Sequence, residues 1–195
     1  SKRYTMDKYI EVFLNQNSKL NLISKNDEKF LWEKHIFDSL SIEKFFEKYG
    51  KGKTLLDIGT GGGFPSVPIA LKYPEIEVYA LDSIRKKINA IENIKTELNI
   101  QNLHPICDRA ENIKQKFDII TSRAVATLDK ITRYAKPLLN KDGYFVAYKS
   151  LRAQEEIADA QNTLKKYKAE IVDIIEYDLP LEENHTRNLI IIKHI

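Results

Sequence analysis

Two spacings of apolar residues divide the chain. Up to residue 50 they recur at helical intervals. Tyr9, Ile10, Val12, Phe13 and Leu14 give a first helix one apolar face. Ser24 followed by Asp27 resembles a capping box that opens a second, with Phe30, Leu31 and Ile36 as its apolar set. Ile42, Phe45, Phe46 and Tyr49 continue a third, and Gly50 is placed to end it.

From Thr54 onward short apolar runs alternate with amphipathic stretches. Leu55–Ile58 predicts a buried strand that ends at a glycine loop. A helix follows from about Pro65, a residue suited to a first helical turn, and stops before Pro74. Val78–Leu81 predicts a second strand ending in Asp82. Ile84, Ile88, Ile91 and Leu98 mark a long amphipathic helix. Leu103–Ile106, Phe117–Thr121 and Tyr144–Tyr148 predict three more strands, with a helix around Leu128–Leu139 before the last of them. A helix near Gln154–Lys166 leads to strands at Ile171–Ile175 and Asn188–Lys193. Seven strands alternating with helices predict an α/β fold. Its sheet is mostly parallel, with helices on both faces and a helical cap at the N-terminus.

Composition narrows the class. At 195 residues, 43% hydrophobic and 30% charged, the chain suits one globular domain. No apolar run approaches the ~20 residues of a membrane span, so no membrane partner is expected. Lys2, Arg3, Asp7, Lys8 and Glu11 interrupt any stretch that could act as a signal peptide. The single cysteine, Cys107, cannot form an intramolecular disulfide. Nor can it alone supply the cysteines of a radical iron–sulfur cluster or a zinc ribbon. Its place in an apolar stretch predicts a core thiol, the expected home is the cytoplasm, and no metal site is expected. A net charge of +3 permits an anionic partner without demanding one.

The chemistry starts at Asp57-Ile58-Gly59-Thr60-Gly61-Gly62-Gly63-Phe64, between a strand and a helix. Glycines there let the backbone turn tightly and approach a nucleotide-like ligand. A dinucleotide fingerprint needs Gly at the sixth position; read from Gly59 that place is Phe64, and read from Gly61 it is Ser66. No Gly-Lys-Ser/Thr follows, so a P-loop is excluded. The remaining pattern resembles the first motif of class I S-adenosylmethionine methyltransferases. Asp82, nineteen residues after Gly63, is then placed to accept hydrogen bonds from both ribose hydroxyls. By the same analogy Asp108-Arg109-Ala110-Glu111 would line the adenine. After the fourth strand stands Thr121-Ser122-Arg123-Ala124 rather than the Pro-Pro-aromatic motif common in methylation of exocyclic amines. Methylation at pyrimidine C5 needs a cysteine nucleophile, and Cys107 lies elsewhere.

These residues resemble the bacterial 16S ribosomal RNA (guanine-N7) methyltransferase family, also called glucose-inhibited division protein B. His35-Ile36-Phe37-Asp38-Ser39-Leu40 is similar to its His-Ile-x-Asp-Ser-Leu segment, and Asp57–Pro68 to its glycine loop. Leu81-Asp82-Ser83 with Lys86-Lys87 resembles the end of its second strand, Ser122–Ala126 its Ser-Arg-Ala-x-Ala motif, and Lys149 the end of its fifth. The likeness runs from about Asn21 to Lys149. Ser66 and Ser150 stand where that family usually has Gly.

The resemblance implies a single Rossmann-like methyltransferase domain over 1–195, with a helical extension at 1–50 and the core at 51–195. It implies S-adenosylmethionine as cofactor, held by Asp57, Gly59, Gly61, Gly63, Phe64, Asp82, Ala110, Glu111 and Arg123. The substrate would be 16S ribosomal RNA of the small subunit, and the protein a monomer. Arg123 is left to the methionine carboxylate or to RNA, and Lys149 to RNA phosphate or the target guanine. His35 and Asp38, three apart on a helix, are expected to hydrogen-bond and brace the cap. No general base is expected, because guanine N7 carries a free lone pair; positioning and desolvation suffice. Lys19, Lys25, Arg85, Lys86, Arg123, Lys149 and Arg152 are the candidate RNA contacts. The rivals are a small-molecule methyltransferase on the same fold, a noncatalytic nucleotide-binding or assembly module, and an NAD-linked oxidoreductase.

Overall fold

The computed structural model describes residues 2–195, with side chains from Met6 onward. Four helices come first: α1 (Lys2–Leu20), α2 (Lys25–Glu28), α3 (Phe37–Leu40) and α4 (Glu43–Tyr49). Ser24 caps α2 by accepting the Asp27 N–H at 3.2 Å, and Gly50, at φ +83°, ends α4. The expected second helix differs in form. A π-helical turn, Leu31–Ile36, lies between α2 and α3. A wider turn re-aims the side chains and carbonyls that follow it, and here it turns the Lys34 carbonyl and His35 ring toward the sheet.

The sheet has seven strands: β1 (Thr54–Ile58), β2 (Glu77–Asp82), β3 (Leu103–Cys107), β4 (Phe117–Arg123), β5 (Leu139–Lys149), β6 (Ala169–Asp178) and β7 (Thr186–His194). Their spatial order is β3-β2-β1-β4-β5-β7-β6. β1 to β5 pair in parallel, and β7 runs antiparallel between β5 and β6. The connecting helices are α5 (Ser66–Lys72), α6 (Arg85–Leu98), α7 (Leu128–Ala135), α8 (Ala153–Asp159) and α9 (Gln161–Lys166).

Strand alternation sorts the core into two layers. Leu55, Val78, Ile119 and Val146 face one way, against Phe13 of α1, Val67 of α5 and Ile88 of α6. Leu56, Ile58, Ile120 and Phe145 face the other, against Leu128 and Ile131 of α7 and Leu164 of α9.

Three expectations need correction. The helix expected over Gln154–Lys166 breaks at Ala160, whose N–H is shared between the Glu156 and Ile157 carbonyls, so α8 and α9 are separate. β5 starts five residues earlier than its apolar run, because the 3₁₀ turn Lys136–Leu138 feeds Leu139 directly into pairing with Phe117. Cys107 is only half-buried: it ends β3, where the sheet opens to solvent, with Sγ 3.7 Å from the Ser83 carbonyl.

Candidate cofactor site

Strand order reverses between β1 and β4, and at the carboxyl ends of these strands a crevice forms where open α/β sheets take ligands. A cavity of about 650 Å³ fills it. Its floor is the glycine loop. Gly59 has φ +70°, and a Cβ there would lie 2.5 Å from a Val125 methyl. Gly63 has φ +100° and sits 2.7 Å from a Val67 methyl by the same measure. Both positions exclude a side chain on conformation and on space.

Below the loop a buried polar cluster holds it in shape. The Thr121 hydroxyl donates to Asp57 Oδ1 at 2.9 Å, and the Ser66 N–H to Oδ2 at 3.3 Å. Thr60 Oγ1 and Ser66 Oγ are 2.6 Å apart. Asp57 is fully buried and does not line the cavity; it braces the loop from beneath, as does Gly63. Burial pushes the Asp57 carboxyl up to about 7, against the pull of the Thr60 and Thr121 hydroxyls and the Ser66 N–H. Ser66, at a place where glycine is usual in the family it resembles, thus adds a hydrogen bond within the loop. Ser66→Ala removes it and leaves the buried Thr60 hydroxyl with Asp57 in place of two partners. A loss of about 1–2 kcal/mol is expected in urea unfolding; an unchanged midpoint would refute the bracing role.

Asp82 closes the loop from the side. Its Oδ2 accepts the Gly61 N–H and its Oδ1 the Ile84 N–H, both at 2.9 Å. The carboxylate is thereby fixed at the cavity edge, with lone pairs left for a vicinal diol. Ala110 and Glu111, in a 3₁₀ turn after β3, line the same end with Asp108 and Arg109. Phe64 forms part of the wall, its ring 5.2 Å from that of Phe13 and 5.1 Å from His35. Leu22, Ile23, Lys130 and Tyr134, which lie outside the motifs, also line it, as do Lys87 and Val125, which stand within motifs that assign them no role at the cofactor. The Lys130–Tyr134 spacing on α7 was the one local signal available, since residues four apart share a helix face.

Arg123, at the end of β4, carries the cap. Its Nη1 donates to Asp38 Oδ2 at 2.9 Å and to the Lys34 carbonyl at 3.2 Å, and its Nη2 lies 2.7 Å from His35 Nδ1. The guanidinium also sits 5.6 Å over the Phe64 ring. His35 and Asp38 do not bond each other as expected; Arg123 stands between them. Since Arg123 can only donate, His35 Nδ1 must accept, which leaves its proton on Nε2, 3.4 Å from Asp27. Burial first, and the Arg123 charge second, lower His35 to about 4, outweighing Asp27 and Asp38. Asp38 is fully buried and also receives Arg187 on both oxygens at 3.1 Å and the Tyr177 hydroxyl at 2.5 Å. Burial works to raise its carboxyl, but Arg187 and then Arg123 hold it below the usual range.

His35 and Asp57 act oppositely on stability. Between about pH 4 and 6.5 the unfolded chain protonates His35 and the folded one does not, so this group makes stability rise with pH. Between about pH 4 and 7 the folded chain keeps a proton on Asp57 that the unfolded one has lost, so this group makes stability fall. The two slopes offset each other in wild type. Asp57→Asn removes the second. Its unfolding free energy is expected to rise by about 2 kcal/mol from pH 5 to 6.5 while wild type stays nearly flat. Parallel profiles in denaturant titrations would contradict this.

The candidate RNA contacts are scattered. Lys19, Lys25, Arg85, Lys86 and Arg152 are exposed, whereas Lys149 is buried, donating to the Ala126 carbonyl at 2.6 Å and paired with Glu156 at 3.0 Å. Among the described residues no group of three His, Cys, Asp or Glu side chains could hold a metal, and no helix is long and apolar enough to cross a membrane.

The chain matches the family model GidB, described as rRNA small subunit methyltransferase G, over residues 2–193. The match thus continues well past Lys149, where the motif resemblance fades. It is 37% identical over 191 residues to the ribosomal RNA small subunit methyltransferase G of Desulfitobacterium hafniense, covering 95% of this chain and 78% of that protein. Against the protein of the same name from Bacillus licheniformis it is 36% identical, covering 95% and 79%. Among solved structures it is similar to an S-adenosylmethionine-dependent methyltransferase from Clostridium acetobutylicum, with a TM-score of 0.62 and 15% identity over 82% of this chain and 91% of that one. That likeness speaks for the fold alone.

Proposed function

The chain belongs to the rRNA small subunit methyltransferase G family, and from that premise we propose that it methylates N7 of one guanine in 16S ribosomal RNA. It is a Rossmann-like, S-adenosylmethionine-dependent rRNA methyltransferase. The NAD-linked and small-molecule readings are set aside by this membership. The observation that carries the reading is the family match over nearly the whole chain, on a fold whose switch-point cavity holds a fixed carboxylate beside a glycine loop.

The cavity fits the cofactor. Asp82 would take the ribose hydroxyls, Ala110 and Glu111 the adenine, and the backbone at Gly59 and Gly61 the central part. Phe64 closes the wall, and Arg123 is a fixed positive charge toward the methionine end; Asp57 and Gly63 act from beneath. When bound, S-adenosylmethionine supplies an electrophilic methyl on a sulfonium, which an N7 lone pair can take while the carbon–sulfur electron pair stays on sulfur. N7 bears no proton, so no residue must remove one. His35 suits this, with one ring nitrogen accepting from Arg123 and the other facing Asp27. The chain's part is to orient the two partners and exclude water. The reading has one chain working alone in the cytoplasm, and the exposed cations Arg85, Lys86 and Arg152 meeting phosphates.

The test is transfer of radiolabel from S-adenosylmethionine to small subunits, or their RNA, from cells lacking this enzyme. Label on a single guanine N7 is expected. No label on either substrate, with cofactor binding established separately, would overturn the reading.

A further inference from the structure

A second cavity, of about 320 Å³, adjoins the first at the segment 124–127, where Ala124, Val125 and Ala126 line both. It is at the small end of ligand-site volumes, enough for a purine base. The Lys149–Glu156 ion pair lines it, with side chains 8% and 21% exposed. Glu156 Oε1 accepts both Lys149 Nζ, at 3.0 Å, and the Leu128 N–H, at 2.8 Å. Among the described residues Oε2 takes no hydrogen bond. An ion pair with one unused carboxylate oxygen, facing a cavity next to the cofactor cavity, presents an acceptor and a cation side by side.

We propose that this cavity seats the target base and that Glu156 and Lys149 read its Watson–Crick edge, an inference that rests on the reaction being guanine methylation. Guanine offers two donors there, N1–H and N2–H, beside an acceptor, O6. The carboxylate takes the donors and the ammonium meets O6. Adenine presents an acceptor at N1 and a donor at N6, so each group would face its like, the carboxylate against N1 and the ammonium against N6. Recognition by this edge leaves N7, on the adjoining flank of the purine, without a protein donor, and its lone pair stays available. Glu156 thus sets specificity without touching the transferred methyl.

The experiment compares small-subunit RNA carrying guanine or inosine at the target site, with wild type and Glu156→Gln. Inosine lacks only the 2-amino group. Wild type is expected to lose about tenfold in kcat/KM on inosine, from one charge-assisted hydrogen bond. Glu156→Gln keeps an oxygen for Leu128 and Lys149 but loses the second acceptor. It should fall at least tenfold on guanine, hold its cofactor Kd, and show a guanine-to-inosine ratio near one. A variant that keeps the wild-type ratio would overturn the inference while the methyltransferase reading stands. Equal wild-type rates on guanine and inosine would overturn it too, however the variant folds. No transfer to any guanine RNA, with cofactor bound, would instead refute the functional reading.

Discussion

Asp38→Ala is expected to lower the unfolding free energy by about 3–5 kcal/mol, because it strips a buried carboxylate from two guanidiniums at once. Asp38, on cap helix α3, ties the cap to the end of β4 through Arg123 and to the β6–β7 end of the sheet through Arg187 and Tyr177. Both arginine side chains are mostly buried, at 14% and 17% exposed, so neither is readily solvated once its partner is gone. Against a typical stability of about 5–15 kcal/mol the loss is large enough to shift the urea midpoint well outside error. Acid should mimic it. The folded carboxyl lies below its unfolded value, so its contribution is full above about pH 4 and is lost as pH falls through the folded value. A loss under about 1 kcal/mol for Asp38→Ala would mean the arginines find other partners.

Asp82→Ala is expected to weaken S-adenosylmethionine binding about 100-fold. Two hydrogen bonds from ribose hydroxyls to an ionised acceptor are each worth about 1.5 kcal/mol or more, and each 1.4 kcal/mol is a factor of ten. The variant also frees the Gly61 and Ile84 N–H groups that the carboxylate holds at 2.9 Å, so the loop loses its lateral tie. Asp82→Asn, which keeps one acceptor, should fall between the two. Titration calorimetry of the cofactor decides: a Kd within threefold of wild type for Asp82→Ala would place the ribose elsewhere.

Local chemistry was legible and long-range chemistry was not. Runs such as Leu55–Ile58 and Leu189–Ile192 announce strands because branched apolar residues can be buried on both faces of a central strand. Ser24 and Gly50 mark helix ends because capping depends on a few neighbouring residues. The π-helical turn at Leu31–Ile36 was hidden, since apolar spacing over six residues does not distinguish it from an α-turn. The glycine loop and Asp82 were found from spacing, yet spacing could not tell that Asp57 lies under the loop rather than in the cavity wall. The roles of Arg123 and Lys149 stayed open because their partners are remote: Arg123 reaches Asp38 across 85 residues, and Asp38 in turn meets Arg187 across 149.

The outermost strand, β6, has a consequence for behaviour in a crowded solution. An edge strand offers an unpaired ladder to any second chain, and Val172 and Ile174 are 39% and 36% exposed on this one. Glu176 and Asp178 alternate with Ile174 on one face, a β-bulge between Ile171 and Asp173 turns Glu170 to the other, and Asp173 is drawn inward by Lys48 and the Tyr49 hydroxyl. A second copy docking its own β6 alongside would bring carboxylates against carboxylates before the apolar residues could meet. The acidic positions act as gatekeepers against edge-to-edge aggregation, and they shield an exposed apolar pair that would otherwise be sticky.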